Sequence, residues 1–162
     1  MPGVRIVPFS PEHADGVLSV ILPIQQMEFG IPITREDQPD LADIASFYQR
    51  GDGNFWVALA DDTVVGTIGL LDIGRCEGAL RKMFVAAGRR GPENGVARGL
   101  LETLLAWCRA RGLRQIYLGT TAAFLAAHRF YEKNGFREIG RDELPPAFPV
   151  MAVDSKFYAR VP

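Results

Sequence analysis

One α/β domain built on a mixed sheet is the fold class this sequence predicts, on three observations. A length of 162 residues is that of one ordinary domain, and at this size roughly 70% of the unfolded chain's surface is buried, enough for a self-sufficient core. With 48% hydrophobic and 23% charged residues, the composition is that of a globular chain and excludes disorder, collagen, coiled coil and a disulfide miniprotein. Last, the segments read β-α-α-β-β-β-α-β-α-β-β, with strands meeting first by hairpin and later by helical crossover.

Each element has a local reason. Residues 4–7 form a first strand, ended by Pro8. Ser10-Pro11-Glu12 reads as an N-cap with proline at the first helical position, opening a helix to Phe29 that Pro23 should kink or split. Gly30 to Thr34 is a loop, and a second helix is expected over 39–49. Strands at 54–60 and 64–71 flank Asp61-Asp62-Thr63, a tight hairpin connection. A third strand, 79–86, carries Met83, Phe84 and Val85 as an unbroken apolar run, the pattern of a strand buried on both faces. A helix over 95–111 places Val96, Leu100, Leu101, Leu104, Leu105 and Cys108 on one stripe and ends at Gly112. Residues 115–119 form a strand, and a helix over 121–134 stops at Gly135. Strands at 136–139 and 150–158 complete the chain, separated by a loop holding Pro145, Pro146 and Pro149.

The longest apolar stretch near the start, 17–24, is interrupted by Ser19 and Pro23 and is far shorter than the roughly 20 residues of a membrane span. No basic leader precedes it, so no signal peptide is expected. Cys76 and Cys108 fit no disulfide or zinc spacing. A cytoplasmic protein without metal is the expectation.

Net charge is −1, which points to neither nucleic acid nor an anionic membrane. The charges are nevertheless segregated. Between Glu12 and Asp62 ten acids stand against Arg35 and Arg50, while between Arg81 and Arg114 eight bases stand against Glu93 and Glu102. Two ligands of opposite sign on one domain, or merely solvated helix faces, are both consistent with this distribution.

The run from Met83 to Arg98 is the most informative. A buried strand yields to a loop with Arg89, Arg90, Gly91, Asn94 and Gly95, and the loop yields to an amphipathic helix. Such a helix start leaves backbone N–H groups unpaired at the positive end of the dipole, a site for a pyrophosphate. The loop lacks the Gly-Lys-Ser/Thr of a Walker loop and the Gly-x-Gly-x-x-Gly of a dinucleotide site. Taken alone, it also reads as simple punctuation between strand and helix.

Leu80-x-x-Met83-x-Val85, Arg90-Gly91, Gly95-Val96-Ala97 and Leu100-Leu101 together resemble motif A of the GNAT superfamily of acyl-CoA-dependent N-acetyltransferases. The resemblance implies a central, mostly antiparallel mixed sheet of about six or seven strands flanked by about four helices. It implies acetyl-CoA as co-substrate, with Met83, Phe84 and Val85 along the pantetheine arm and Arg90, Gly91, Asn94, Gly95, Val96, Ala97 and Arg98 around the diphosphate. The Arg-Gly pair lies two residues earlier than in the family pattern, and Pro92, which has no N–H, occupies one of the defined positions.

Ala127-His128-Arg129-Phe130-Tyr131, followed by Gly135-Phe136, resembles motif B of the same superfamily. There the tyrosine lies near the thioester sulfur and acts as general acid, a role that falls on Tyr131. On its helix alone Tyr131 reads as a packed aromatic; the two motifs together turn the reading to chemistry. Phe124 stands where the family carries an asparagine, and is expected against the core or the cofactor arm. His128 and His13 are read as structural.

The amine must lose a proton before it attacks. The family's glutamate before Leu80 is Ala79 here, so Glu77, two residues upstream on the same strand face, is the preferred base, with Asp72 behind it. Cys108 reads as a core residue and Cys76 as a loop thiol, so direct transfer in a ternary complex is preferred over a cysteine acyl-enzyme. The resemblance places the acceptor near 24–48, with Gln26, Glu28 and Phe29 foremost among Gln25, Asp37, Gln38 and Asp40. An acidic lining there suits a cationic amine.

The expected activity is therefore acetyl transfer from acetyl-CoA to the primary amine of a small molecule or peptide, with room for a homodimer and no nucleic-acid or membrane partner. A non-catalytic acyl-CoA-binding module and a nucleotide-dependent transferase are the alternatives. Tyr131 speaks against the first and the missing Walker lysine against the second.

Overall fold

The computed structural model describes residues 3–91, 93–121 and 125–162. Among them, seven strands form one sheet: Val4–Pro8 (β1), Asn54–Ala60 (β2), Thr63–Gly74 (β3), Glu77–Val85 (β4), Gln115–Thr120 (β5), Arg137–Ile139 (β6) and Lys156–Arg160 (β7). Their spatial order is β1-β2-β3-β4-β5-β7-β6. Only the β4–β5 pair is parallel, and every other pairing is antiparallel. Five α-helices flank the sheet: Ala14–Pro23 (α1), Pro39–Ala42 (α2), Ile44–Tyr48 (α3), Val96–Ala110 (α4) and Leu125–Lys133 (α5).

Strand β2 shows why the core has two sides. Trp56 and Ala58 join Leu100, Leu101 and Leu104 of α4 in one cluster. Phe55, Val57 and Leu59 alternate with them and pack with Val17, Ile21 and Tyr48 on the opposite face. A strand covered on both faces reads as a near-continuous apolar run; β2 is buried throughout and is apolar from Phe55 to Ala60, while Asn54 at its start is hydrogen-bonded to Gln49 and to the Phe55 N–H. The α4 stripe is buried as its spacing predicts, and the helix ends where Gly112 turns to φ 72°. There the Leu113 N–H donates to the Cys108 carbonyl at 2.9 Å, the six-to-one bond of a glycine-terminated helix.

Four expectations need correction. The first long helix keeps its α register only to Pro23; the next residues, Ile24–Glu28, wind as a π turn closed by Phe29 N–H to the Ile24 carbonyl at 3.1 Å. The second helix is two short ones, broken at Asp43 (φ −149°, ψ 75°), whose carboxylate caps Ser46 N–H at 3.2 Å instead of continuing the coil. The last strand begins at Lys156, because Asp154 draws 151–154 into a turn by accepting the Met151 N–H at 2.9 Å. Met83 and Phe84 are half-buried, not enclosed on both faces.

That last difference creates the site. Strand β4 pairs with β5 only over Glu77, Gly78 and Ala79. Beyond Ala79 the two strands part, and β5 continues with β7 on its other side. The β3–β4 register also slips between Gly69↔Arg81 and Thr67↔Phe84, and Lys82 takes a left-handed φ of 55°. Such a bulge re-aims side chains, and here Arg81, Lys82 and Met83 all reach the gap.

Candidate active site

The parted strands wall a cleft of about 590 Å³. Leu80, Met83, Phe84 and Val85 of β4 face Leu118, Gly119 and Thr120 of β5. Ala127, Phe130 and Tyr131 of α5 contribute from the helix side, and Ile24, Gln25, Phe29, Ile31 and Ile33 from the segment after α1. Phe148, Met151, Val153 and Asp154, on the loop before β7, complete the lining. Past Ala79, β4 presents a strand edge that β5 no longer covers, a row of peptide groups suited to an extended amide-bearing chain.

One end of this edge leads into the anion-binding loop. Ala87–Arg89 form a 3₁₀ turn, Gly91 adopts φ 105°, and Gly95 caps α4 at φ 67° without a side chain to satisfy the helix start. The i→i−4 bond from Gly99 N–H reaches the Gly95 carbonyl at 2.9 Å, so the amides of Val96, Ala97 and Arg98, in the first turn, remain for an anion. Asn94 braces the loop, its N–H bonding the Gly91 carbonyl at 3.1 Å and its Nδ2 the Arg90 carbonyl at 2.6 Å. Arg90 and Ala97 line the cleft, whereas Gly91, Asn94, Gly95, Val96 and Arg98 lie beside them in sequence and outside its wall. Arg98 pairs with Glu102 at 3.0 Å on the exposed helix face. An edge strand leading to free amides and arginines fits a pantetheine arm with a diphosphate behind it. Phe124 and Pro92 lie outside the described residues.

Tyr131 is buried, with its hydroxyl 3.9 Å from the Met83 sulfur. Edge-on contacts with Phe130 and Phe136, ring centroids 5.8 and 5.5 Å away, hold its ring. Burial pushes its phenol well above the ordinary tyrosine range, because the phenolate is the form that loses hydration. His128 is also buried, its Nε2 2.9 Å from the Thr121 carbonyl, a structural contact.

Glu77 is not brought to the cleft. It sits where β4 and β5 are still paired, with the Tyr117 hydroxyl 3.4 Å from its Oε2. Asp72 is equally occupied elsewhere, accepting the Asp52 and Gly74 N–H groups at 2.9 and 2.8 Å. Of the acceptor residues, Phe29 lines the cleft; Gln26 donates to the Ile33 carbonyl at 2.8 Å, and Glu28 grips Arg90. Glu28, Asp37 and Asp40 are not part of the cleft wall, and each has a partner of its own. Asp37 caps Thr34, Glu28 is paired, and Asp40 is buried against the Tyr48 hydroxyl (2.6 Å) and Lys82 (3.7 Å).

The residues that sequence reasoning passed over are the charged ones of the bulge and of the last loop. Lys82 donates to Gln38 Oε1 at 2.6 Å, while Gln38 and Gln25 bond each other at 2.9 Å. Burial lowers the Lys82 pKa, and Asp40 offsets part of that shift. Asp154 has its pKa raised by burial, against the pull of the Met151 N–H and of Arg81. The available signal was an Arg-Lys pair inside an apolar strand, since charged residues are rarely buried without partners.

Comparison with known proteins agrees with this geometry. The model of the Acetyltransferase (GNAT) family matches residues 19–136, and the chain belongs to that family. A crystal structure of a GNAT-family acetyltransferase from Staphylococcus aureus Mu50 superposes with a TM-score of 0.93 at 39% identity, covering 98% of this chain and 99% of that one. N-acetylglutamate synthase from Neisseria gonorrhoeae, solved with coenzyme A and N-acetyl-glutamate, shares the fold at a TM-score of 0.73 and 16% identity, over 98% of this chain and 35% of that one. Among curated relatives, N-acetylaspartate synthetase of Danio rerio is 36% identical over 108 residues, covering 64% of this chain and 37% of that protein. Probable N-acetyltransferase family 8 member 5 of Mus musculus is 34% identical over 109 residues, covering 64% and 47%. The chain thus spans less than half the length of these curated relatives.

Proposed function

We propose that the protein transfers an acetyl group from acetyl-CoA to a primary amine by direct attack within a ternary complex. The observation that carries this reading is the Tyr131 hydroxyl, buried at the wall of a cleft whose opposite side is the uncovered edge of β4. The pantetheine arm lies along that edge, with the diphosphate on the amides of Val96, Ala97 and Arg98 and on Arg90. The thioester is then near Met83 and Tyr131, 3.9 Å apart.

The amine nitrogen adds to the thioester carbonyl, forming a C–N bond, and collapse of the adduct breaks the C–S bond. The departing thiolate takes the Tyr131 proton, and the proton shed by nitrogen restores the phenol. Burial keeps Tyr131 protonated until the thiolate forms but also makes the phenol hold its proton more tightly; what draws the proton to sulfur is that the same dry surroundings disfavour a free thiolate. Positioned proton transfer of this kind is worth about 10²–10⁴-fold. The relatives, an N-acetylaspartate synthetase and a probable N-acetyltransferase, support the same reaction class.

A cytoplasmic setting is part of the reading. Cys76 and Cys108 are both free thiols, as in a reducing compartment, and among the described residues no helix is long and apolar enough to cross a membrane.

The test is thiol release from acetyl-CoA across a panel of amino acids, polyamines, aminoglycosides and peptide N-termini. Release with at least one amine supports transfer. CoA binding without release across the panel contradicts it and favours a non-catalytic module.

A further inference from the structure

Three charged side chains at the cleft besides Asp154 can be sorted by partner. Arg90 is satisfied by Glu28, with nitrogens 2.6 and 3.0 Å from the two carboxylate oxygens. Lys82 is satisfied by Asp40 and Gln38. Arg81 differs. Among the described residues no carboxylate lies within ion-pair distance of its guanidinium, which touches only the Met151 sulfur at 3.5 Å and stands 5.7 Å from the centre of the Phe47 ring. A thioether and a ring face hold the guanidinium plane without using up its donor fork. A fork of this kind matches a carboxylate in a bidentate pair.

Asp154 shares the cleft and lies within electrostatic reach of Arg81. Its Oδ2 accepts the Met151 N–H at 2.9 Å, which fixes the carboxylate, while among the described residues Oδ1 accepts no hydrogen bond. Gly119 makes room for it, since a Cβ built there would come within 2.6 Å of Oδ2. The cleft therefore holds a cation and an anion near each other but unjoined, both tethered by neighbours. That arrangement complements a small molecule bearing one carboxylate and one ammonium.

We propose that the acetyl acceptor is a free amino acid, its carboxylate held by the Arg81 guanidinium and its amino group directed by the Asp154 carboxylate. The proposal deepens the reading above and rests on the same cleft as the site of transfer. Asp154 attracts the ammonium and takes the proton that frees the lone pair, a role Glu77 cannot fill from the closed seam of β4 and β5. The neutral amine then attacks as described, and Asp154 returns its proton to solvent. Recognition through a charged partner inside a cleft discriminates against analogues lacking the matching group, so the amide of the same amino acid should bind more weakly.

Calorimetric titration of the CoA-loaded protein with L-amino acids and with their C-terminal amides reads this recognition without turnover. At least one free acid should bind about tenfold or more tightly than its amide, and Arg81→Gln should erase that preference with CoA affinity unchanged. Equal affinity of acid and amide throughout, no binding of any amino acid, or a preference that survives Arg81→Gln overturns the proposal. The acid–amide comparison on the unaltered protein requires no variant to fold. Thiol release measured in parallel separates the two readings. Plain amines acetylated as well as amino acids sink the carboxylate site and leave acetyl transfer standing. A carboxylate preference in binding with no acceptor turned over sinks transfer and leaves the site standing.

Discussion

Arg90 and Glu28, 62 positions apart in sequence, are joined by two parallel hydrogen bonds of 2.6 and 3.0 Å. The pair ties the loop before α4 to the π turn after α1, and Arg90 Nε also holds the Val85 carbonyl at 2.8 Å. In the proposed placement of the coenzyme, its diphosphate and Glu28 compete for one guanidinium. Both side chains are more than a third exposed, so the pair is worth about 0.2–1 kcal/mol. Glu28→Gln should tighten CoA binding by up to about fivefold, the equivalent of that energy. Arg90→Gln should weaken it by about tenfold, the scale of one charged hydrogen bond. Calorimetry with CoA checks both, and a weaker complex for Glu28→Gln contradicts the rivalry.

Removing the Tyr131 hydroxyl isolates its chemistry. Tyr131→Phe should lower kcat by about 10²–10⁴-fold, as expected for loss of a positioned acid, with CoA affinity nearly intact because the ring and its packing remain. Burial raises the phenol's pKa, so its acid form persists as pH rises. The alkaline limb of kcat should show no loss from Tyr131 below about pH 10, the ordinary tyrosine value. A Phe variant with full turnover removes Tyr131 from the reaction.

The buried Lys82–Asp40 pair beside the cleft is a stability element. Lys82 and Asp40 have side chains only 8% and 5% exposed, with Nζ 3.7 Å from Oδ2. Asp40→Asn leaves Lys82 buried without its anion and should cost about 3–5 kcal/mol. Lys82→Met should also destabilise, and the double variant should lose less than the sum of the two, read by denaturant unfolding as a double-mutant cycle. Additive losses contradict the coupling.

The two thiols should differ sharply. Cys108 is buried, with its pKa raised by burial to about 12, while Cys76 is exposed. Only the thiolate reacts. Iodoacetamide should label Cys76 in the native protein and Cys108 only after unfolding. Cys76→Ser should retain full acetyl transfer; lost activity would instead favour a cysteine acyl-enzyme.

Local patterns were legible where local forces decide the outcome. The α4 stripe from Val96 to Cys108 fits its helix because burial of one face dictates the spacing, and the β2 strand fits its span because Phe55 to Ala60, buried on both faces, are all apolar. The family motifs on 83–97 and around Tyr131 also marked the two sides of the cleft. Arg81 and Lys82 were not legible as site residues, because their aim depends on a bulge opposite Ile68 and on β5 turning away after Ala79. Those are pairings between distant strands. Asp154 was hidden for a related reason. The 150–158 segment looks like a strand until its own carboxylate bonds Met151 N–H and folds it into a turn.

Everything mechanistic depends on where the coenzyme lies, and a crystal structure of the protein grown with CoA measures that directly. The pantetheine should run along β4 between Leu80 and Val85, with the diphosphate on the amides of Val96, Ala97 and Arg98 and the sulfur beside Tyr131. Coenzyme bound away from this cleft, or a diphosphate that touches none of those amides, would contradict the account.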